Sequence, residues 1–225
     1  MGQAVVIALL LSALFGALDG YEAARIRMVR DLEARGIRNP AVLDAMRSTQ
    51  RHLFVSAPAR YIAYSDRALP IGRGQTISQP YVVAFMTELL DPLPGHSVLE
   101  IGTGSGYQAA VLSRLVKEVY TIEIVPDLAR DAAALLKQLG YHNVFVRSGD
   151  GYQGWPEKAP FDRIILTAAP ADVPSTLTNQ LQMGGKLVAP VGVGLQDLVV
   201  IEKRPDGSLR RTVSIPVRFV PMVHE

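Results

Sequence analysis

Three glycines at alternate positions, Gly102, Gly104 and Gly106, interrupt the run S-V-L-E-I-G-T-G-S-G-Y at 97–107, directly after a stretch of strand character. Glycine has no Cβ and tolerates positive φ, so such a turn between strand and helix lets the backbone pass close to a ligand. Two residues refine the chemistry. Glu100 brings an acid into the entering strand, and Tyr107 stands where the dinucleotide fingerprint G-x-G-x-x-G/A places its third small residue. A carboxylate adds nothing to a pyrophosphate site at a helix N-terminus and favours a cation. The turn therefore reads as a seat for S-adenosylmethionine, whose sulfonium and amino groups are both positive, rather than for NAD. A purely structural strand-to-helix turn is the alternative.

Further groups fall where the same ligand would need them. Glu123 lies about 20 residues beyond Gly102, the position of a ribose-binding acid in folds of this plan. Asp150 and Gly151 sit in S-G-D-G at the end of one predicted strand, and Thr167 ends another. Taken singly, Glu123 and Asp150 are surface carboxylates. Taken together, with Glu123 for ribose hydroxyls and Asp150 for an adenine amino group, they describe a nucleoside pocket. A second polar stretch, G-R-G-Q-T-I-S-Q-P at 72–80, reads as a loop leading into a helix with Pro80 at its first position. Ser78 or Gln79 belongs at the N-cap. Ser78 either caps that helix or, by the same geometry, seats a carboxylate.

The elements that must position these residues alternate. Helices are predicted at 21–48, broken by Gly36 and Asn39-Pro40, and at 81–90, 107–115, 128–139 and 176–182, the last stopped by Gly184-Gly185. Strands are predicted at 98–101, 119–124, 144–146, 161–167, 186–191, 197–203 and 211–220, with an irregular region at 51–71. Successive βα units argue for an α/β fold with an open, mostly parallel twisted sheet, helices on both faces and an antiparallel edge at the C-terminus. Ligands in such sheets bind beyond the carboxyl ends of the strands, where Gly102–Gly106, Glu123, Asp150 and Thr167 all fall.

Bulk properties narrow the field. A length of 225 residues suits one domain, 21–225 with a helical part at 21–68, and an appendage. The absence of cysteine excludes disulfides, thiolate metal sites and thiol nucleophiles. His52, His96, His142 and His224 are scattered without ligand spacing and read as surface or cap residues, so no metal is expected. A net charge of +2 gives no broad footprint for nucleic acid, and the N-terminal arginines interleave with acids as on a solvated helix. Residues 1–20 form a leader whose apolar run, 4–18, is too short for a stable membrane span and is preceded by no Lys or Arg. It reads as a targeting segment, an anchor or a buried helix. Since the donor is made in the cytosol, a cytoplasmic protein is expected, with export or anchoring through 1–20 as the alternative.

Five stretches together resemble one family. L-P-I-G-R-G-Q-T-I-S-Q-P-Y at 69–81, V-L-E-I-G-T-G-S-G-Y-Q at 98–108, G-D-G at 149–151, F-D-R-I-I-L-T-A-A at 161–169 and V-R-F-V-P at 217–221 are similar to the bacterial protein-L-isoaspartate O-methyltransferases. The glycine turn is common to class I methyltransferases; the Q-T-I-S-Q-P loop and the terminal R-F-V-P are far more specific. The leader departs from the usual family start.

The resemblance implies a class I, Rossmann-like methyltransferase fold and transfer of a methyl group from S-adenosylmethionine to the α-carboxylate of an L-isoaspartyl residue in a damaged protein. S-adenosylhomocysteine is released, and the ester collapses to a succinimide that hydrolyses partly to normal aspartate. It implies that Ser78 is the active-site serine, that Gln75, Thr76 and Ile77 close over the cofactor, and that Glu100, Gly102, Thr103, Gly104, Ser105, Gly106, Glu123, Asp150, Gly151 and Thr167 bind it. A monomer is expected. An α-carboxyl has a pKa of about 3.5, so the acceptor is already ionised at neutral pH and needs no general base. That agrees with the lack of any Ser-His-Asp or Cys-His arrangement. Two rivals remain: a small-molecule methyltransferase, which should lack the Q-T-I-S-Q-P loop, and a non-catalytic nucleotide-binding module, disfavoured by the joint presence of Ser78 and the Gly102 turn.

Overall fold

A computed structural model describes residues 20–224. The leader therefore lies, apart from Gly20, outside the described residues. The chain begins with α1 (Glu22–Ala34) and α2 (Pro40–Ser48), the latter capped by the Asn39 side chain, which accepts from the N–H groups of Ala41 and Val42. Two 3₁₀ turns, 51–54 and 57–62, lie within the region read as irregular. The expected loop before the next helix is instead a hairpin of β1 (Leu69–Gly72) and β2 (Gln75–Ile77), paired Leu69 to Ile77 and Pro70 to Thr76. Three consecutive positive-φ residues, Gly72, Arg73 and Gly74, close the turn that the polar composition had disguised.

After α3 (Pro80–Leu90), strand and helix alternate as predicted: β3 (Ser97–Ile101), α4 (Tyr107–Ser113), β4 (Glu118–Glu123), α5 (Pro126–Gln138), β5 (Val144–Ser148), β6 (Phe161–Leu166), α6 (Ser175–Asn179), β7 (Leu181–Val191), β8 (Gln196–Lys203) and β9 (Leu209–Val217). The last of the predicted helices ends earlier than expected. Leu181 already pairs with Phe161, so residues 181–185 belong to β7, and Gly184-Gly185 mark an irregularity in its register. Seven strands run in the order β5-β4-β3-β6-β7-β8-β9, parallel from β5 to β7, with β8 and β9 antiparallel.

Strand side chains alternate between two cores, as a period of two requires. Val98, Val119, Ile165 and Val188 enter one, with residues of α1–α5; Leu99, Ile101, Ile122, Leu166 and Val199 enter the other. The helices are unequally shared. The second face carries α6 and the irregular segments bearing Tyr152, Trp155 and Val173. Strand order reverses at β3: β4 and β5 lie to one side, and β6 returns to the other. The crevice beyond the ends of β3 and β6 is thus the topological switch point, where ligands bind in open α/β sheets.

Candidate active site

Backbone and side-chain bonds hold the glycine turn rigidly at that crevice. The N–H groups of Gly102 and Thr103 donate to Ile122 O at 2.8 and 3.2 Å, and the Thr103 and Thr121 hydroxyls meet at 2.7 Å. Glu123, at the end of β4, accepts from Gly104 N–H at 2.7 Å through Oε2 and from Val125 N–H at 3.0 Å through Oε1. Each oxygen keeps a second lone pair for a ligand hydroxyl. Thr167, just past β6, donates its hydroxyl to Gly102 O at 2.5 Å, with Ile101 O 3.0 Å away. Gly102 has φ +99°, and a Cβ there would stand 2.4 Å from Thr167 Oγ1. Only glycine fits.

Around this turn lies a cavity of about 830 Å³, counted out to its open mouth. Of the residues singled out from the sequence, Gln75, Thr76, Ile77, Ser78, Gly102, Thr103, Gly104, Ser105, Glu123, Gly151 and Thr167 line it. Gly151 approaches closely; a Cβ there would come within 2.4 Å of Ile101 Cγ2. Val220, Pro221, Met222 and Val223 also line the cavity, although the sequence reading had treated V-R-F-V-P only as a family signature. Ala169 pins them: its N–H donates to Val220 O at 2.9 Å and its carbonyl accepts from Met222 N–H at 2.8 Å.

Three expected cofactor residues do not line the cavity. Gly106 is spent as the N-cap residue of α4 at φ +85°. Asp150 caps a 3₁₀ turn, accepting from Tyr152 N–H at 2.8 Å, and its other oxygen lies 3.0 Å from His224 Nδ1. Glu100 is completely buried within β3, and neither of its oxygens has a hydrogen-bond partner. Burial pushes its pKa up to about 8; Thr121 nearby counteracts this and the negative Glu123 adds to it. At neutral pH it is a neutral acid rather than the anion first inferred. His52 also departs from the sequence reading: it is buried, with Nδ1 2.8 Å from the Tyr64 hydroxyl and its ring stacked on Tyr21.

Ser78 does not cap α3. Gln79 holds the N-cap position without a side-chain bond, and the N–H of Tyr81 is taken by Asp66 Oδ1 at 2.8 Å. Relieved of that task, the half-buried Ser78 hydroxyl has no partner among the described residues. Ser78 lines a second hollow too, a groove between α3 and the segment 215–220. Cavity and groove share Thr76, Ser78, Thr167 and Val220, so the two adjoin there.

The arrangement offers a rigid, deep seat for one amphipathic ligand and an open channel for another, meeting at a free hydroxyl. Among the described residues no three His, Asp or Glu side chains could together hold a metal ion. Comparisons with known proteins point the same way. A protein-L-isoaspartate O-methyltransferase of Gloeobacter violaceus is 53% identical over 196 residues, covering 86% of this chain and 95% of that one. A protein-L-isoaspartate O-methyltransferase 1 of an Anaeromyxobacter species is 57% identical over 196 residues, 86% of this chain and 92% of its own. A solved protein-L-isoaspartate O-methyltransferase superposes with a TM-score of 0.81 at 31% identity, over 88% of this chain; the match spans 65% of that longer chain. The fold is shared by a Plasmodium falciparum protein solved with S-adenosyl-L-homocysteine, at TM-score 0.78 and 24% identity. Residues 23–225 match the family model described as Protein-L-isoaspartate(D-aspartate) O-methyltransferase, so nearly all of the described chain is accounted for, and the chain belongs to that family.

Proposed function

We propose that the chain carries its family's activity, methylating the α-carboxylate of L-isoaspartyl residues in damaged proteins with S-adenosylmethionine as donor. The observation that carries this reading is the shared boundary at Ser78, where a cofactor-sized cavity meets a groove open to a polypeptide. When bound, the cofactor supplies an electrophilic methyl group on a sulfonium. The cavity suits it on its own terms: a glycine cradle that a Cβ would fill, and walls mixing Thr103, Ser105 and Glu123 with Ile101, Ile122 and Met222.

In this reading Glu123 holds the ribose hydroxyls while fixing Gly104, and the turn at Gly102–Gly106 orients the amino-acid end. Glu100, wholly buried in β3 and absent from the cavity's lining, has no part in this reading. Gln75, Thr76 and Ile77 wall the site and exclude water. Asp150 reaches the adenine edge if its bond to His224 opens. Ser78 would donate a hydrogen bond to the acceptor carboxylate and orient it towards the cofactor cavity; it is not a nucleophile. Its partner is ionised at neutral pH, so no base has to titrate. Orientation of this kind removes on the order of 7–11 kcal/mol from a bimolecular barrier.

Among the described residues no helix is long and apolar enough to cross a membrane. A cytoplasmic protein is proposed because the donor is cytosolic. The test is labelled-methyl transfer from S-adenosylmethionine to an isoaspartyl peptide beside its aspartyl twin. Transfer confined to the isoaspartyl peptide is expected; no transfer, or equal transfer to both, would overturn the reading.

A further inference from the structure

The groove beside Ser78 has a charge pattern of its own. Two charged side chains line it, Arg35 and Arg218, and no acid does. The two differ in their surroundings. Arg35 is ion-paired with Asp66 and lies over the Tyr81 ring, 3.8 Å from its centroid, so its charge is already answered. Arg218 is exposed and has no carboxylate partner among the described residues.

Its backbone, by contrast, is tied down on both sides. Val217 pairs with Gln196 in the ladder between β8 and β9. The Gln196 amide then grips the next residue but one, donating Nε2–H to Phe219 O at 3.1 Å and accepting Phe219 N–H at 2.6 Å. Gln196 is itself only 9% exposed, so the clamp belongs to the packed part of the sheet edge. Beyond it, Val220 O accepts from Ala169 N–H. An unpaired guanidinium is thereby held on a fixed segment at the wall of a groove that contains the free Ser78 hydroxyl.

We infer that Arg218 is a specificity determinant: it binds an Asp or Glu side chain of the protein substrate close in sequence to the reacting isoaspartyl residue. The inference rests on the activity proposed above and adds a preference to it. Guanidinium and carboxylate match as a planar, bidentate pair. Spacing sets the range. Val220, at the boundary shared with the cofactor cavity, lies two residues beyond Arg218, and an extended chain advances about 3.3–3.6 Å per residue. The complementary acid therefore sits about two positions from the isoaspartyl residue in an extended substrate. The compensated Arg35 contributes little to this choice.

The experiment measures KM and kcat on isoaspartyl peptides carrying Glu, Gln or Lys at each position up to two residues either side of the isoaspartyl, at low and high salt, with wild type, Arg218→Gln and Arg218→Glu. Wild type should show a roughly three- to tenfold lower KM for Glu than for Gln at one of these positions, the gap narrowing at high salt. Arg218→Gln should flatten the ratio, and Arg218→Glu should turn it towards Lys. Equal KM values for the Glu and Gln peptides in wild type, or the same ratio in wild type and Arg218→Gln, would overturn the inference. Failure to methylate any isoaspartyl peptide, the neutral ones included, would instead overturn the underlying activity and this preference with it.

Discussion

The floor of the cofactor cavity and its mouth are built on opposite plans. At the floor several polar groups are bound within the protein: Glu123 holds two backbone N–H groups, the hydroxyls of Thr103 and Thr121 bond to each other, and Thr167 reaches the Gly102 carbonyl. At the mouth and along the groove that adjoins it, the Ser78 hydroxyl and the Arg218 guanidinium have no partners among the described residues. A ligand that never varies can be met by a rigid, preorganised cradle, which reduces the cost of ordering on binding. A protein substrate that differs each time is met by a few free groups along an open groove. In the proposed reading the contrast divides the labour of the site: the floor would define the donor, and the mouth would aim the acceptor.

The largest effect should come from breaking the floor. Gly102→Ala places a Cβ 2.4 Å from Thr167 Oγ1 on a backbone at φ +99°. We expect a loss of roughly 2–4 kcal/mol of stability and no measurable binding of S-adenosylmethionine, checked by denaturant unfolding and calorimetric titration. Near-native affinity in this variant would mean that the turn does not form the seat.

Glu100, buried in β3 just before the turn, sharpens the comparison. Folded, it keeps its proton up to about pH 8; its ordinary value is 4.5. Between those pH values the native state binds more protons than the unfolded chain, so stability falls as pH rises through this window. Glu100→Gln, neutral throughout, should flatten that slope in cofactor-free protein, a difference of up to several kcal/mol near pH 8. Unfolding free energies at pH 5, 6.5 and 8 would reveal it, and parallel curves for the two proteins would refute it.

The smallest change touches only the mouth. Ser78→Ala should lower kcat on an isoaspartyl peptide about tenfold, the worth of one hydrogen bond to a charged acceptor, with the dissociation constant for S-adenosylmethionine unaltered. An equal loss of cofactor affinity would show that floor and mouth are not separable.

Much of the floor was legible in the sequence because its signals are local. A strand followed by alternating glycines specifies its own turn, and the period of the βα units leads to the parallel sheet and the switch point. Contributions from distant segments were not legible. Nothing near Ser78 indicates that Asp66 takes the N–H of Tyr81 and frees the serine from capping. Nothing near residues 217–223 indicates that Ala169 folds them across the cavity. Glu100 was misjudged because sequence position revealed the acid but not its burial, and burial determines its charge. The hairpin of β1 and β2 was hidden for a related reason: three- and four-residue strands are too short to show a period.

The central claim is that methyl transfer is achieved by orientation of an acceptor that is already anionic. Its most direct test is the pH dependence of single-turnover methyl transfer, with protein saturated by both S-adenosylmethionine and an isoaspartyl peptide. The rate should be level from about pH 5.5 to pH 8, well above the acceptor's own carboxyl pKa of about 3.5. A rate that climbs through a midpoint near neutrality, and loses that limb when one side chain of the site is replaced, would reveal a catalytic base and contradict the account.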